Sequence, residues 1–183
     1  MGSPFLTCGR RPVPEGERVF ARWRELAERR GHGLFLLGGA ATPAVPEPRA
    51  LGLDAWVQGT AYVFGAMTRA QRGVRSLQHP TEAYRFARHR DVYFDYGELV
   101  NRFLSTLDQF PSPTVPSVVT SWNSTGRRSR GASATNSTPE RFREAVEAAL
   151  RQAPILDLGG PTRLLGLNAW NEWGEGMTPG TDR

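Results

Sequence analysis

Cysteine and histidine are scarce in this sequence of 183 residues, in which Cys8 is the only cysteine. A single thiol cannot form an internal disulfide, and it excludes a zinc site built from several cysteines. The three histidines, His32, His79 and His89, lack the spacing of metal ligands. We therefore expect neither a bound metal ion nor another cofactor.

Long apolar segments are also missing from the chain. No apolar run approaches the roughly 18–20 residues that a membrane-spanning helix needs. The first residues do not show a charged region followed by an apolar stretch, so no signal peptide is expected. These absences predict a cytoplasmic protein without a membrane span.

Lysine is absent, and all 23 basic residues are arginines, which leave a formal net charge of +5 at pH 7. An excess of positive charge is a common feature of nucleic-acid-binding proteins. The arginines are scattered, however, and form one dense patch at 127–130, whereas a binding face would cluster them among aromatic residues. Because Ala, Gly and Pro are abundant as well, we interpret the arginines as a compositional bias and expect no nucleic-acid partner.

Apolar segments of strand length alternate with amphipathic helices along the chain. Helices are predicted over 14–30 and from the capping residues Asp95 and Thr138. Strands are predicted at 5–8, 34–37, 53–57, 92–94, 115–120 and 163–170. Gly38-Gly39 is predicted to form a turn, 59–80 an elaborated loop with a short helix, and 121–137 a polar loop. This alternation is typical of an α/β protein with a mostly parallel sheet.

Two architectures fit this pattern of strands and helices. One is an open, doubly wound sheet, and the other is part of a (β/α)8 barrel. A whole barrel usually takes about 250 residues, and about five legible strands are too few to close one. Periodicity alone leaves this choice open.

The segment that follows the last predicted strand is the densest in chemically useful side chains. Glu172 and Glu175 lie three residues apart, with Trp170 and Trp173 beside them. Glycosidic bonds are cleaved by a pair of carboxyl groups, and a tryptophan can stack on a sugar or raise the pKa of a nearby glutamate. The alternative is that these glutamates are solvated loop charges and the tryptophans cover the core.

Two further positions carry polar groups where a simple connection does not need them. Trp122, Asn123 and Arg127 follow a predicted strand and offer a stacking surface and hydrogen bonds, although the segment also resembles a flexible basic linker. Asp54 is predicted inside an otherwise apolar strand, where a carboxylate is costly unless it is paired. It is therefore either functional or bound to a buried partner.

Five segments resemble the WbsX-type, glycoside hydrolase family 99-like proteins, in the same order along the chain. Residues 168–176 read NAWNEWGEG and closely resemble the family signature NAWNEWxEG. The other segments are LGLDA at 51–55, DY at 95–96, WNSTGRR at 122–128 and STPERF at 137–142. Asn123 stands where the family usually has Asp, and the chain continues after 176 as MTPGTDR, whereas the family continues toward LEPD.

The resemblance implies an incomplete (β/α)8 barrel that forms one domain over 1–183, with about five βα units from the later half of the barrel. It also implies a glycosidase or glycosyltransferase, because family 99 enzymes hydrolyse mannosides and the WbsX-type relatives are associated with polysaccharide and lipopolysaccharide biosynthesis. By analogy with family 99 enzymes, Glu172 of this chain would act as a base at the sugar 2-hydroxyl and Glu175 would act as the general acid. The configuration at the anomeric carbon would be retained. The positions assigned to binding of an oligo- or polysaccharide are Trp170, Asn171, Trp173, Trp122, Asn123, Arg127, Asp54 and Tyr96.

Two alternatives to a glycan-active enzyme stay open at this point. One is a carbohydrate-binding fragment without catalysis, and the other is a doubly wound α/β domain of unrelated function. A partial barrel would also leave open sheet edges, which could pair with a second copy of the chain.

Overall fold

A computed structural model describes residues 5–8, 15–59, 92–123 and 132–168. Of the loop predicted at 59–80, only Gly59 is described. The segment that contains Glu172 and Glu175 lies outside the described residues. The helices of the described part are α1 (Gly16–Glu28), α2 (Tyr96–Thr106) and α3 (Pro139–Gln152). Its strands are β1 (Phe5–Cys8), β2 (Phe35–Ala40), β3 (Ala55–Gln58), β4 (Val92–Asp95), β5 (Thr114–Val115), β6 (Ser117–Val118), β7 (Ala132–Thr135), β8 (Ile155–Asp157), β9 (Pro161–Arg163) and β10 (Gly166–Leu167).

The helix ends confirm the capping residues predicted from the sequence. The Asp95 carboxylate accepts hydrogen bonds from the backbone N–H groups of Gly97 and Glu98 at the start of α2. The Thr138 hydroxyl accepts from the Arg141 N–H, 3.3 Å away, at the start of α3. Gly31, with φ of 73°, follows α1 in the left-handed conformation that glycine adopts without strain.

The main sheet is parallel, and its strands are arranged in chain order apart from β4, which pairs with β7 instead. Its four strands are ordered β1-β2-β3-β5, and β6 pairs in parallel with β10. β5 and β6 flank Pro116, which cannot donate a ladder hydrogen bond, so the strand predicted at 115–120 is broken there. The described strands show neither the order reversal of a doubly wound sheet nor a closed barrel.

The two faces of the main sheet pack against different partners. On one face, Leu36 and Trp56 join Phe20 of α1 in a buried cluster. Gln58, 2% exposed, donates from Nε2 to the Phe103 carbonyl of α2 at 2.7 Å. On the other face, a second cluster contains Leu156 of β8 together with buried side chains of three strands, Leu37, Ala55 and Val115. In the described residues, helices thus contact this sheet from the Trp56 face.

Three local predictions are wrong, because packing or pairing with another strand decides the conformation in each case. Gly38-Gly39 is not a turn but lies inside β2, where Gly38 makes room for the Trp56 ring. The predicted polar loop contains β7, which pairs in parallel with β4. Of the strand predicted at 163–170, the structure describes 163–168. There Arg163 ends β9, which pairs with Ile155–Asp157 as an antiparallel hairpin, and Gly166–Leu167 forms β10.

The described residues contain neither a candidate membrane-spanning helix nor a candidate metal site. No helix in them is long and apolar enough to cross a bilayer. No three side chains of His, Cys, Asp or Glu in them are grouped so that they could hold a metal ion. The compartment and self-association through sheet edges stay predictions.

Candidate functional site

Two chemically rich segments leave neighbouring strands at the same edge of the sheet. β6 and β10 run in parallel, with Gly166 opposite Ser117 and Leu167 opposite Val118. The Asn168 N–H extends this pairing by donating to the Val118 carbonyl at 2.9 Å. Since parallel strands end at a common edge, the segment after β6 and the segment after β10 begin side by side. This is the edge at which parallel α/β enzymes build their active sites.

Trp122 and Asn123 continue from β6 and are held by β7. The Trp122 carbonyl accepts a hydrogen bond of 2.7 Å from the Ala134 N–H, and Asn123 forms an antiparallel bridge with Ser133. The Trp122 side chain is half-buried against the core cluster of α2 and α3, whereas Asn123 is exposed. Over these two residues the chain is therefore held to β7 by backbone pairing.

A carboxylate joins the ends of β4 and β7. Asp95 ends β4, and its Oδ2 accepts from the Asn136 amide and from the Arg141 guanidinium, each at 3.0 Å. The same Arg141 nitrogen also reaches Oδ1 of Asp95 at 3.2 Å and the Asn136 carbonyl at 3.4 Å. Two parts of the chain that are distant in sequence, the end of β4 and the segment 136–141, thus meet at one carboxyl group. We name Asp95, Asn136 and Arg141 the Asp95 cluster.

The Asp95 cluster favours the ionised carboxylate. Partial burial by itself would raise the pKa of Asp95, but the hydrogen bonds from Asn136, Arg141 and the Glu98 N–H, with the charge of Arg141, lower it below its ordinary value. Asp95 is therefore negatively charged throughout the neutral range. It attracts the Arg141 guanidinium and the amino end of α2.

We expect the contribution of the Asp95 charge to stability to be lost in acid. Because its pKa is lower in the folded chain than in the unfolded chain, the unfolded chain takes up the proton first as the pH falls. The free energy of unfolding of the wild type should exceed that of Asp95→Asn by about 1 kcal/mol, since Arg141 is 43% exposed. The difference should be constant above about pH 5 and shrink below about pH 4. Urea unfolding at several pH values measures it, and a difference that grows in acid would refute the assignment.

Tyr96 is a core residue in this structure, contrary to its predicted role in substrate binding. Its side chain is 0% exposed, and its hydroxyl donates to the Val119 carbonyl at 2.7 Å. Burial raises the pKa of the Tyr96 phenol, which therefore stays protonated and keeps this hydrogen bond. The side chain thus ties the start of α2 to the residue that follows β6.

Removing the Tyr96 hydroxyl tests this link between helix and sheet. We expect Tyr96→Phe to lower the free energy of unfolding by about 1–2 kcal/mol, because the buried Val119 carbonyl loses its side-chain donor while the ring still fills its place. Thermal unfolding of the two proteins gives the difference. An unchanged stability would mean that the carbonyl does not depend on this bond.

Asp54 occupies the opposite end of the sheet from the candidate site. It precedes β3 instead of lying inside a strand, and its Oδ2 accepts from Arg24 of α1 at 2.7 Å and from the Leu36 N–H at 2.6 Å. The Arg24 guanidinium also donates to the Gly52 carbonyl at 2.7 Å. Of the two predicted explanations, the structure shows the paired carboxylate, which joins α1 to the amino ends of β2 and β3.

The remaining predicted site residues lie outside the described part of the chain. They are Glu172, Glu175, Trp170, Asn171, Trp173 and Arg127. The Asp-x-x-Glu pattern at Asp95 is local, and it predicts only that this residue caps a helix. Nothing in the sequence indicates that Arg141, 46 residues away, would reach the same carboxylate.

The fold and the site thus define a mixed α/β protein with polar, tryptophan-containing segments at the carboxyl ends of parallel strands. The chain belongs to the family described as glycosyltransferase WbsX, whose family model matches residues 4–180.

The chain is also similar to a curated protein over most of its own length. The chain is 29% identical over 191 residues to the uncharacterized protein WxcX of Xanthomonas campestris pv. campestris (strain B100). The alignment covers 94% of this chain and 25% of that protein, so the chain spans about a quarter of the relative's length. No solved structure matches the chain significantly.

Proposed function

We propose that the chain belongs to a glycan-active enzyme that cleaves or forms glycosidic bonds in cell-surface polysaccharide or lipopolysaccharide. Glu172 and Glu175 form its acid–base pair in this proposal. Two findings support it: the family match over 4–180, and the presence within that range of two carboxyl groups flanked by tryptophans.

The observation that carries the proposal is the parallel pairing of β6 with β10. It starts the glutamate-containing segment beside the segment of Trp122 and Asn123, since Asn168 is hydrogen-bonded to Val118. A glycosidase needs a stacking surface and hydroxyl-binding groups within a few ångströms of its carboxyl groups. Neighbouring strand ends supply both from segments that are far apart in sequence.

We further propose that the described sheet is part of a (β/α)8 barrel. The strands of the main sheet are arranged in chain order, as in a barrel, except that β4 lies outside this sheet and pairs with β7. Helices α1 and α2 contact the face of Trp56 and Gln58, and the opposite face would line the barrel interior with Leu37, Ala55 and Val115. Such a wall would place the ends of β6 and β10 at the catalytic rim.

Each glutamate has a defined role in the proposed reaction. Glu172 takes the proton from the sugar 2-hydroxyl as that oxygen attacks the anomeric carbon, and Glu175 protonates the leaving glycosidic oxygen. The product of this step is a 1,2-anhydro sugar. Glu175, now ionised, then takes a proton from water or from an acceptor hydroxyl, which opens the three-membered ring, and Glu172 returns its proton to the 2-oxygen. Two inversions at one carbon retain its configuration.

Sugar binding falls to groups on both segments. Trp122, Trp170 and Trp173 offer flat apolar surfaces for sugar rings, while Asn123, Asn171 and Arg127 offer hydrogen bonds to hydroxyl groups. Tryptophans close to Glu175 would also exclude water and raise its pKa, which a general acid needs at neutral pH.

Incubation of the chain with bacterial cell-surface polysaccharide, in water and in water with methanol, tests the proposal. We expect new reducing ends in water and, with methanol, methyl glycosides of retained configuration. A folded chain that binds the polysaccharide without releasing product would support the non-catalytic alternative. A folded chain that neither binds nor converts it would contradict the proposal.

A further inference from the structure

We propose that the Asp95 cluster is a positioning device that sets the place of the sugar-binding residues Trp122 and Asn123. This inference rests on the proposed function for its effect on substrate, while its structural part is independent of that function. It assigns to Asp95 a second role beyond capping α2.

Asp95 accepts hydrogen bonds both from the start of α2 and from residues that follow β7. The Arg141 guanidinium reaches both carboxylate oxygens, Oδ1 at 3.2 Å and Oδ2 at 3.0 Å. Oδ1 accepts the N–H groups of Gly97 and Glu98, at 2.9 and 3.4 Å, and so caps α2. Oδ2 accepts from Asn136 and Arg141 and so holds the residue after β7 and the first turn of α3. A cap alone needs one oxygen acceptor, which a serine also supplies. The second set of bonds is therefore additional to capping.

The residue held by Oδ2 is in a conformation that benefits from support. Asn136 follows β7 with φ of 59°, a left-handed backbone that costs energy for a residue other than glycine. Its side chain bonds Asp95, and its carbonyl accepts from Arg141 at 3.4 Å. These contacts fix the direction in which the chain leaves β7. The Thr135 hydroxyl adds a bond of 3.1 Å to the Phe94 carbonyl of β4.

Backbone pairing of β7 connects Asn136 to Trp122 and Asn123. The Ala134 N–H bonds the Trp122 carbonyl, and Ser133 faces Asn123 in the antiparallel bridge. Ser133 and Ala134 lie on this short strand, three and two residues before Asn136. Because β7 has four residues, it forms few backbone hydrogen bonds. We therefore expect the contacts of Asn136 to determine how firmly β7 holds Trp122 and Asn123.

The constraint should appear in substrate binding and not in the chemical step. Trp122 and Asn123 are proposed to contact the sugar, whereas the proton transfers belong to Glu172 and Glu175. Loosening β7 lowers the fraction of molecules in which the binding residues are in place, which raises KM. The proton transfers in the bound complex are unaffected, so kcat is retained.

A matched pair of variants tests the inference. Arg141→Gln breaks the ion pair with Asp95, while Arg24→Gln breaks the ion pair with Asp54 at the opposite end of the sheet. Both changes remove one guanidinium from a partly exposed pair. Asp95→Ser is the third variant, because serine retains a cap for α2 but does not carry the charge that binds Arg141.

Amide hydrogen exchange, measured by NMR, tests whether the Asp95 cluster holds β7 in place. We expect exchange at the Ala134 N–H to become about ten-fold faster in Arg141→Gln and Asp95→Ser, with less than about a two-fold change at the Trp56 N–H. Trp56 is the reporter at the other end, since its N–H donates to the Pro113 carbonyl. Arg24→Gln should leave Ala134 unchanged. Equal acceleration at both amides would show general destabilisation, and no acceleration at Ala134 would show that the cluster does not hold β7; either result overturns the inference.

Steady-state kinetics with the bacterial polysaccharide as substrate tests whether the Asp95 cluster affects substrate binding. We expect KM to rise about five- to ten-fold in Arg141→Gln and Asp95→Ser with kcat within about two-fold, and no change in Arg24→Gln. A fall in kcat at constant KM would contradict the positioning role. If the wild type does not act on the polysaccharide, the proposed function fails, and the exchange measurement alone decides whether the cluster positions Trp122.

Discussion

We expect Glu175→Gln to lower the rate of glycan turnover by about 10²–10⁴-fold. Glutamine has nearly the same size as glutamate but cannot give a proton to the leaving glycosidic oxygen. The loss should therefore fall on kcat, with KM changed little, because the stacking and hydrogen-bonding surfaces are retained. Release of reducing ends from the polysaccharide, measured at several substrate concentrations, separates the two constants.

Two controls distinguish a lost proton donor from a damaged fold. Glu28→Gln makes the same chemical change at an exposed residue at the end of α1, in the connection that leads to the amino end of β2, and should keep full activity. A glycosyl fluoride carries a leaving group that needs no protonation, so Glu175→Gln should lose much less activity on it than on the polysaccharide. Full activity of Glu175→Gln on polysaccharide would remove this residue from the mechanism.

The largest effect on stability is expected at Gly38, inside β2. A Cβ atom at this position would lie 2.5 Å from Cδ1 of Leu53 and 2.7 Å from Cε3 of Trp56, well inside van der Waals contact. Trp56 cannot move aside freely, because its indole N–H donates to the Pro46 carbonyl at 2.9 Å. We expect Gly38→Ala to lower the free energy of unfolding by about 2–3 kcal/mol, as measured by urea unfolding.

A double-mutant cycle identifies the ring of Trp56 as the cause. Trp56→Leu removes most of the atoms that a Cβ at Gly38 would meet. In this background, Gly38→Ala should cost less than half of what it costs in the wild type. Equal costs in both backgrounds would mean that Gly38 is needed for a reason other than the packing of the indole.

The helices could be predicted from the sequence because their signals are local. Asp95 and Thr138 cap helices within three residues of their own positions, and Gly31 ends α1 in its own left-handed conformation. Amphipathic spacing then gave the buried side of each helix, as at Phe20. Such features need no knowledge of distant parts of the chain.

The strands were harder to predict because their partners are distant. Gly38 looks like a turn residue until the Trp56 ring, 18 positions later, is placed over it. The sequence ASAT of β7 is short and polar, and it becomes a strand through pairing with β4, 40 residues earlier. Sequence therefore predicts the parallel α/β class but not these pairings.

The candidate site shows the same division between local and distant information. The NAWNEWGEG segment is visible in the sequence because its residues are contiguous. In contrast, the partner of Asp54 is Arg24, 30 residues earlier, and the partner of Tyr96 is the Val119 carbonyl, 23 residues later. The family resemblance implies substrate binding for both residues, and a carboxylate in an apolar segment alternatively predicts a paired Asp54. The identity of each partner leaves no local pattern in the sequence.

The central claim is that Glu172 and Glu175 act on a sugar held at the carboxyl ends of β6 and β10. A crystal structure of the Glu175→Gln variant with an oligosaccharide of the polysaccharide bound tests it most directly. The account predicts a sugar ring stacked near Trp122, the amide of residue 175 about 3 Å from a glycosidic oxygen, and Glu172 within about 3 Å of a 2-hydroxyl. A sugar bound elsewhere, or side chains 172 and 175 directed away from it by more than about 10 Å, would contradict the claim.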